Sequence, residues 1–397
     1  MTTTFVLDPC AWTPSGHHQQ FDLALVEELT RAGSDAWLFV HKDVTGASLG
    51  HPATVPHFSV FPGKPLSDDE LVGDLETYLV QNREFLGDLR RFASDVDLTD
   101  ALLVFPNMLH HMLFGLAEWL GEQEPTNKLR LALLFPSFSG YDDTSGSISW
   151  IFALYRHGFN ALRRAAGDAP ALFALMEKQV AEYSYLAGRP VELAPYPTPA
   201  SLWKGSLPPP AADSGYRVVF LGGAGGRKGF GLLPEIIART VAVRPDAEFL
   251  IQVNIDGVNA PAPDVVDALR RAGPAVRLVT GYVDQDSFFR LIVESDLVLL
   301  PYQGSMHRVV TSALFEDAVY LGRPCVVPPG TSMATSLAAG QAAGRVAAGS
   351  TAADFASALI DAISDRDRLA ATAASVAAAR RATSGMNRFA QRLLQIG

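Results

Sequence analysis

The sequence predicts an α/β protein of two domains, each a doubly wound parallel sheet. Apolar strand patterns alternate with amphipathic helix patterns in both halves of the chain, which is typical of parallel strands joined by crossover helices. Six prolines between residues 195 and 215 separate the halves and predict a linker. A chain of 397 residues is also longer than the domains that usually form around a single hydrophobic core.

The elements of each half follow in the same order of strand, loop and helix. The strand patterns of the first half are TFVLD, AWLFV, DALLVFPN and LRLALLFPS, with FDLALVEELTRAG and MLHHMLFGLAEWL as helices. The strand patterns of the second half are YRVVFLG, AEFLIQV, VRLVTG, DLVLLPY and RPCVVPP, with helices between them. We therefore predict a domain over 1–195, a linker over 196–215, a domain over 216–380 and a separate C-terminal helix within 381–397.

Composition narrows the class of protein. A hydrophobic fraction of 48% with 19% charged residues indicates a compact globular chain and excludes a coiled coil or a disordered protein. The net charge of −10 argues against nucleic acid as a partner. The sequence shows no obvious basic amphipathic helix, so we expect at most peripheral contact with a membrane. Two distant cysteines, Cys10 and Cys325, and the lack of a basic, apolar leader lead us to expect a cytoplasmic protein.

A glycine-rich turn between a strand and a helix, VVFLGGAGGRKGFGLL, is the first candidate site. Glycines allow a ligand close to the backbone, helix N-terminal amides favour negative charge, and Arg227 and Lys228 would neutralise it. The spacing matches neither a Walker loop nor the GxGxxG fingerprint. The turn alone predicts an anion site or a glycine turn without a ligand.

The second candidate site is residues 297–331, where a buried strand ends at Tyr302 and a loop carries His307 and Arg308. Thr311 and Ser312 suit the N-cap of the next helix, whose N-terminus also favours an anion. Glu316, one turn later, could accept hydrogen bonds from the hydroxyls of a ribose. The alternative is an ordinary capped helix with solvated charges.

Loops after strands of the first half supply further candidates. Each has an ordinary structural alternative, such as a polar turn or a core histidine. The candidates are Gly16, His17, His110, His111, Tyr141 and Asp142. Three Asp-x-Asp pairs do not follow strands as metal chelation would require, so the sequence predicts no metal site: Asp95 and Asp97, Asp284 and Asp286, Asp365 and Asp367.

Taken together, FLGGAGGRKG, GYVDQDSFFRLIVESDLVLLPY and RVVTSALFEDAVYLGRPCVV resemble the donor-binding domain of GT-B glycosyltransferases, especially family 4 (group 1). The resemblance implies two Rossmann-like domains that face each other across a cleft, with the C-terminal helix packed back on the first domain. It places Gly222, Gly223 and Lys228 on the donor diphosphate and Glu316 on the ribose. The remaining donor-binding residues that it implies are Tyr282, Tyr302, Val310, Thr311 and Ser312.

The resemblance implies a metal-independent, retaining transfer of a sugar from a UDP- or GDP-linked donor, with no cofactor. The acceptor would be a glycan, a lipid-linked oligosaccharide or a protein, contacted in the first domain by Gly16, His17, His111, Tyr141 and Asp142. The catalytic residues would be Lys228, Arg227 and Arg308, which stabilise the leaving diphosphate, and His110, which orients the acceptor or the sugar.

Two positions depart from the family pattern. Gly223 stands where the family has an arginine, and Arg308 stands where the Glu-x7-Glu pair has its first glutamate. These departures leave two alternatives open: a nucleotide-sugar 2-epimerase of the same fold, and a catalytically idle subunit that binds a partner transferase.

Overall fold

The computed structural model divides the chain into two compact units, which are described separately. Unit 1 comprises Met1–Pro199 and Ser384–Gly397, and unit 2 comprises Ala200–Thr383. The structure describes residues 2–12, 18–45, 50–62, 70–123, 128–142, 146–194, 196, 215–223, 226–253, 261–281, 283–303, 306–308, 310 and 312–396, without the side chains of 70–74, 142, 285 and 306.

Unit 1 is a parallel sheet flanked by helices. Its strands are β1 (Thr3–Asp8), β2 (Asp35–His41), β3 (Thr54–Phe58), β4 (Leu102–Phe105), β5 (Arg130–Phe135), β6 (Tyr141–Asp142), β7 (Ser147–Ile148), β8 (Ala171–Ala174) and β9 (Glu192–Leu193). Its helices are α1 (His18–Arg31), α2 (Glu70–Asp95), α3 (His110–Gly121), α4 (Trp150–Ala166), α5 (Glu177–Ala187) and, from the C-terminus, α13 (Met386–Leu394). The sheet order is β3-β2-β1-β4-β5-β8-β9, and β6 pairs with β7 as a separate antiparallel hairpin.

The core of unit 1 explains its strand sequences. All four residues of β4 are buried, as are the last five of β5, because helices cover both faces of the sheet. Helix α13 packs against α1 within the same unit. Its Phe389 ring lies 5.7 Å from the Phe173 ring, and Arg392 donates a hydrogen bond to the Leu193 carbonyl at 2.9 Å.

Unit 2 repeats the same architecture. Its strands are β10 (Tyr216–Phe220), β11 (Ala247–Val253), β12 (Val276–Thr280), β13 (Leu297–Leu299), β14 (Cys325–Val327) and β15 (Gly344–Val346), in the order β12-β11-β10-β13-β14-β15. Its α-helices are α6 (Leu233–Val243), α7 (Pro263–Arg271), α8 (Gln285–Val293), α9 (Ala313–Tyr320), α10 (Ser332–Ala338), α11 (Ala352–Ser364) and α12 (Arg366–Thr383). Short 3-10 turns cover Gly226–Lys228 and Met306–Arg308.

Polar side chains fix where several helices of unit 2 begin. Asp284 accepts a hydrogen bond from the Ser287 amide at 3.0 Å and so caps α8. Thr351 and Asp354 form a capping box at the start of α11. Asp284 therefore has a local structural role in its Asp-x-Asp pair.

The predicted fold class is confirmed: both units are doubly wound parallel α/β sheets. In each sheet the first strand lies between the second and the fourth. The order in which successive strands are added to the sheet therefore reverses between β1 and β4 and between β10 and β13. Ligands of open α/β sheets bind in the crevice outside the carboxyl ends of the strands at such a point. Among the described residues, no helix is both long and apolar enough to cross a bilayer.

Candidate functional site

The glycine-rich turn of unit 2 holds the Lys228 ammonium against the backbone of Gly222. Gly222 follows β10 with φ +97°, and its N–H donates a hydrogen bond to Gln252 Oε1 at 2.9 Å. A Cβ atom at this position would lie 2.5 Å from Lys228 Nζ. Glycine therefore satisfies both the left-handed conformation and the close approach of the lysine.

A second glycine fastens the turn to the end of β13. Gly229 has φ +72°, and a Cβ atom there would lie 1.9 Å from the Pro301 carbonyl oxygen. The Gln303 amide donates to the Arg227 carbonyl at 2.7 Å, which ties the same two segments together. The turn after β10 and the loop after β13 thus form one structure at the point where the sheet order reverses.

Lys228 is a mostly buried cation that makes no ion pair with a described carboxylate. Burial lowers the pKa of Lys228, because the charged form loses hydration. Its Nζ lies 5.8 Å from the centre of the Tyr302 ring, within range of a cation–π contact. A bound anion would supply the counter-charge that no described carboxylate provides.

Tyr302 links this lysine to the start of α9. The Tyr302 hydroxyl lies 3.1 Å from Ser312 Oγ, and Ser312 Oγ accepts from the Phe315 amide at 3.4 Å as the helix cap. Burial raises the pKa of Tyr302 to about 12, so its hydroxyl stays protonated at neutral pH. The Tyr302 ring also lies 4.4 Å, centre to centre, from His307.

Glu316 and Asp317 occupy the first turns of α9 and are both buried. Glu316 Oε2 is paired with the Arg380 guanidinium of α12. Burial and the neighbouring Glu316 charge raise the pKa of Asp317 to about 8. At neutral pH Asp317 is therefore largely protonated, and Glu316 is the carboxyl of the two that pairs with Arg380.

The two histidines at the start of α3 lie in an aromatic cluster of unit 1. Their rings are 3.7 Å apart, and the His110 ring is 5.2 Å from that of Tyr155. Burial lowers the pKa of His110 to about 2 and that of His111 to about 4. Both side chains are only 7% exposed, so they are neutral interior groups in this conformation.

A group of buried polar side chains lies at the carboxyl end of β1. Asp8 accepts hydrogen bonds from the Cys10 amide at 2.8 Å and from Asn107 Nδ2, which follows β4, at 2.6 Å. His18 Nδ1 lies 3.5 Å from Asp8 Oδ2. Although burial opposes ionisation, the nearby His18 helps to hold the pKa of Asp8 below its usual value. Burial, then the Asp8 charge, raises the pKa of Asp22 well above the usual value.

The solved structures that resemble this chain share its architecture over nearly the whole length. A sucrose-phosphate synthase from Thermosynechococcus elongatus is 13% identical with a TM-score of 0.68, covering 100% of this chain and 98% of its own. WaaG, a glycosyltransferase involved in lipopolysaccharide biosynthesis, is 15% identical with a TM-score of 0.61, covering 99% and 100%. HepE of Anabaena, in complex with UDP-glucose, is 14% identical with a TM-score of 0.64, covering 100% and 99%.

These neighbours are GT-B proteins. The chain has the GT-B fold. The family resemblance predicted from the motifs is confirmed at the level of this fold. No family model matches the sequence, and no curated protein matches it either.

The GT-B fold brings part of the predicted donor set together. Gly222, Lys228, Tyr302 and Ser312 form one continuous run of contacts, and Glu316 follows one turn later on α9. Gly223 follows in the same turn and is half-buried. The remaining predicted residues with a described position lie around that run: Arg227 and Arg308 are exposed, and the Val310 carbonyl accepts a hydrogen bond from Ser332 Oγ at 3.1 Å.

Several predicted positions of this GT-B chain have no described contact. Gly16, His17, Tyr282 and Thr311 lie outside the described residues, as does the side chain of Asp142. Tyr141 is half-buried in the β6–β7 hairpin, with its ring 6.5 Å from Phe152.

Sequence reasoning missed several features of the two crevices. Gln252, the penultimate residue of β11, has no motif to mark it as the partner of Gly222. His307 lies in the predicted loop after β13, but the sequence pattern gave it no role in the site. The Asp8–Asp22 pair was missed as well, although Asp8 ends a predicted strand and therefore lies where functional side chains of parallel sheets gather.

Proposed function

We propose that the chain is a glycosyltransferase that moves a sugar from a UDP- or GDP-linked donor to a saccharide, lipid-linked or protein acceptor. The observation that carries the proposal is the Lys228 ammonium, held against the Gly222 backbone beside the start of α9 without a described counter-ion. The HepE structures with UDP and with UDP-glucose support it, because they show that a protein of this fold binds such ligands.

In this proposal unit 2 binds the donor. Lys228 contacts the diphosphate, and Arg227 and Arg308 add positive charge as the sugar–phosphate bond breaks, so that no metal ion is required. Glu316 accepts hydrogen bonds from the ribose hydroxyls, with Arg380 fixing its carboxylate. Transfer with retention of the anomeric configuration is part of the proposal, since the motif resemblance implies it.

Calorimetric titration with UDP, GDP, UDP-glucose and GDP-mannose tests the donor site. We expect Lys228→Ala to weaken the preferred nucleotide about 100-fold, because charge-assisted hydrogen bonds contribute about 1.5–3 kcal/mol each. Glu316→Ala should weaken the ribonucleotide but not its 2′,3′-dideoxy analogue. The matched control is Arg239→Gln, which removes one exposed charge of unit 2 from a pair with Glu235 on α6. Equal weakening by the control, or no nucleotide binding at millimolar concentration, would contradict the proposal.

The transfer reaction is tested separately from binding. Purified protein, the preferred donor and a panel of glycan, lipid-linked and peptide acceptors are assayed for released nucleoside diphosphate, with and without a chelator. NMR of the first product then reports the anomeric configuration. Inverted product would exclude retention, and loss of turnover with the chelator would exclude metal independence, while both would leave the transferase itself intact.

A nucleotide-sugar 2-epimerase is the second candidate. The observation that favours it is the presence of Asp8, Asp22 and His18 at the carboxyl edge of the unit 1 sheet, because epimerisation needs carboxylates and histidines for proton transfer. An epimerase would convert the donor without any acceptor, and in deuterated water it would place deuterium on the sugar. A transferase would show neither.

A further inference from the structure

One ring beside Lys228 has no part in the donor site as proposed so far. His307 lies in the 3-10 turn Met306–Arg308, and its ring packs on the Tyr302 ring at 4.4 Å, at a tilt of 35°. Tyr302 is also the ring that faces Lys228 Nζ. His307 and Lys228 thus share one aromatic platform, although they are distant in sequence.

The His307 imidazole is neutral in this environment. Burial, and after it the charge of Lys228, lowers the pKa of His307 to about 4. Arg227 acts in the same direction, whereas a hydrogen bond to the Val310 backbone acts against both. Among the described residues, His307 Nδ1 is buried and has no hydrogen-bond partner.

The described charged groups that act on this ring are both cations. Lys228 and Arg227 come from the glycine-rich turn, whereas the side chain of Arg308, the next residue in the chain, is exposed. Helix α10, which packs against the 3-10 turn, has the sequence SMATSLA and brings no charged group. Tyr302 stays un-ionised. No described carboxylate acts on His307, so a bound anion would bring negative charge that the described part of this cluster lacks.

We propose that His307 is a proton-accepting ligand of the donor diphosphate: its ring is neutral in the empty site and gains a proton on Nδ1 when the diphosphate binds beside Lys228. This inference rests on the proposed function and deepens it. The diphosphate neutralises the cations that, after burial, lower the pKa of the ring, and its oxygens accept a hydrogen bond from the new N–H. The proton comes from solvent, and the protonated ring adds positive charge at the leaving group.

Proton uptake has a thermodynamic signature in binding. If one proton is taken up on binding, the affinity rises about tenfold for each unit by which the pH is lowered. This dependence holds at pH values between the pKa of His307 in the free protein and its higher pKa in the complex. A ring that contacts the diphosphate without titrating, or one that only packs on Tyr302, would produce no such dependence. The number of protons taken up therefore separates a titrating ligand from a structural histidine.

The experiment is calorimetry of UDP-glucose and GDP-mannose binding at pH 5.5 in buffers of different ionisation enthalpy. Sugar nucleotides are chosen over free diphosphates because the terminal phosphate of a free diphosphate titrates near this pH. For the wild-type chain we expect uptake close to one proton per ligand and tighter binding at pH 5.5 than at pH 7. In His307→Gln both effects should disappear.

Arg308→Gln is the matched control, because it removes a permanent charge from the adjacent position. We expect it to weaken binding while leaving the proton count unchanged. His307→Lys, which places a permanent charge at the ring position, should bind without proton uptake. Wild-type binding that Lys228→Ala weakens, but that takes up no proton, overturns the inference alone, as does equal uptake by His307→Gln. Absence of binding to both sugar nucleotides overturns the proposed function and the inference with it.

Discussion

The two units of this chain have the same strand order around their crevices and opposite chemistry within them. In unit 1, the ends of β1 and β4 place Asp8 and Asn107 side by side, with Asp22 buried nearby. In unit 2, the ends of β10 and β13 place Gly222 and Tyr302 around the Lys228 ammonium. The topology thus sets where side chains gather, and the residue types at the strand ends set the charge of what can bind there.

The comparison also shows two ways of burying charge. Unit 1 keeps Asp8 ionised through donors from Cys10, Asn107 and His18, and it favours the protonated form of Asp22. Unit 2 buries Lys228 with an aromatic ring and no described carboxylate. The buried charge of the unit 1 crevice is compensated within the protein, whereas the described residues of the unit 2 crevice leave Lys228 without a carboxylate. The crevice of unit 2 is therefore the one that favours an anionic ligand.

The largest expected effect comes from a substitution that disrupts the close backbone contact between Gly229 and Pro301 in the unit 2 crevice. Gly229→Ala places a Cβ atom 1.9 Å from the Pro301 carbonyl oxygen at a residue with φ +72°. We expect a loss of about 4 kcal/mol of unfolding free energy from steric overlap and backbone strain together, measured by urea denaturation. The control is Gly231→Ala, where nothing lies within 4 Å of the added carbon. Similar losses in both variants would mean that the turn has another packing.

The second effect tests the compensation within unit 1. Asp8→Asn at pH 7 should cost about 3 kcal/mol, because Cys10 and Asn107 donate to different oxygens of Asp8 and asparagine replaces one of those oxygens with an NH2 donor. Asp22→Asn should cost less than about 1 kcal/mol, because burial and the Asp8 charge raise the pKa of Asp22 and so favour the protonated form, which asparagine resembles. Urea denaturation of both variants gives the two values. Equal costs would mean that Asp22 is ionised and that the contrast with unit 2 is wrong.

The sequence predicted the strands and the glycine-rich turn, but it did not predict the contacts between strand ends that are distant in the chain. The apolar runs of β1, β4, β10 and β13 predicted the sheets, because buried parallel strands read as continuous hydrophobic segments. The glycines and Lys228 were predicted as a site, because their anion chemistry is local in sequence. Asp8 and Asn107 are 99 positions apart, and their pairing depends on strand order, which no local pattern encodes. The Glu316–Arg380 pair was missed for the same reason.

The third effect concerns the acidic part of unit 2. The pKa of Asp317 is raised to about 8 from a usual 3.8, so the folded chain holds a proton that the unfolded chain releases. The stability that this proton confers is complete below the usual value and is lost as the pH rises through 8. We expect the stability advantage of Asp317→Asn over the wild type to grow by about 2 kcal/mol between pH 6 and pH 8, in paired denaturation curves. A constant difference across this range would show that Asp317 is ionised in the fold.

The smallest expected effect distinguishes the role of the Tyr302 hydroxyl from that of the Tyr302 ring beside Lys228. Tyr302→Phe removes the hydroxyl that lies 3.1 Å from Ser312 Oγ but keeps the ring that faces Lys228 and His307. We expect a loss of about 1 kcal/mol of stability, since Ser312 still caps α9, and an unchanged affinity for the preferred sugar nucleotide. Tyr302→Leu, which removes the ring as well, should weaken the nucleotide. If the phenylalanine variant lost affinity to the same extent, the hydroxyl would be a donor ligand, and the crevice of unit 2 would recognise more than charge.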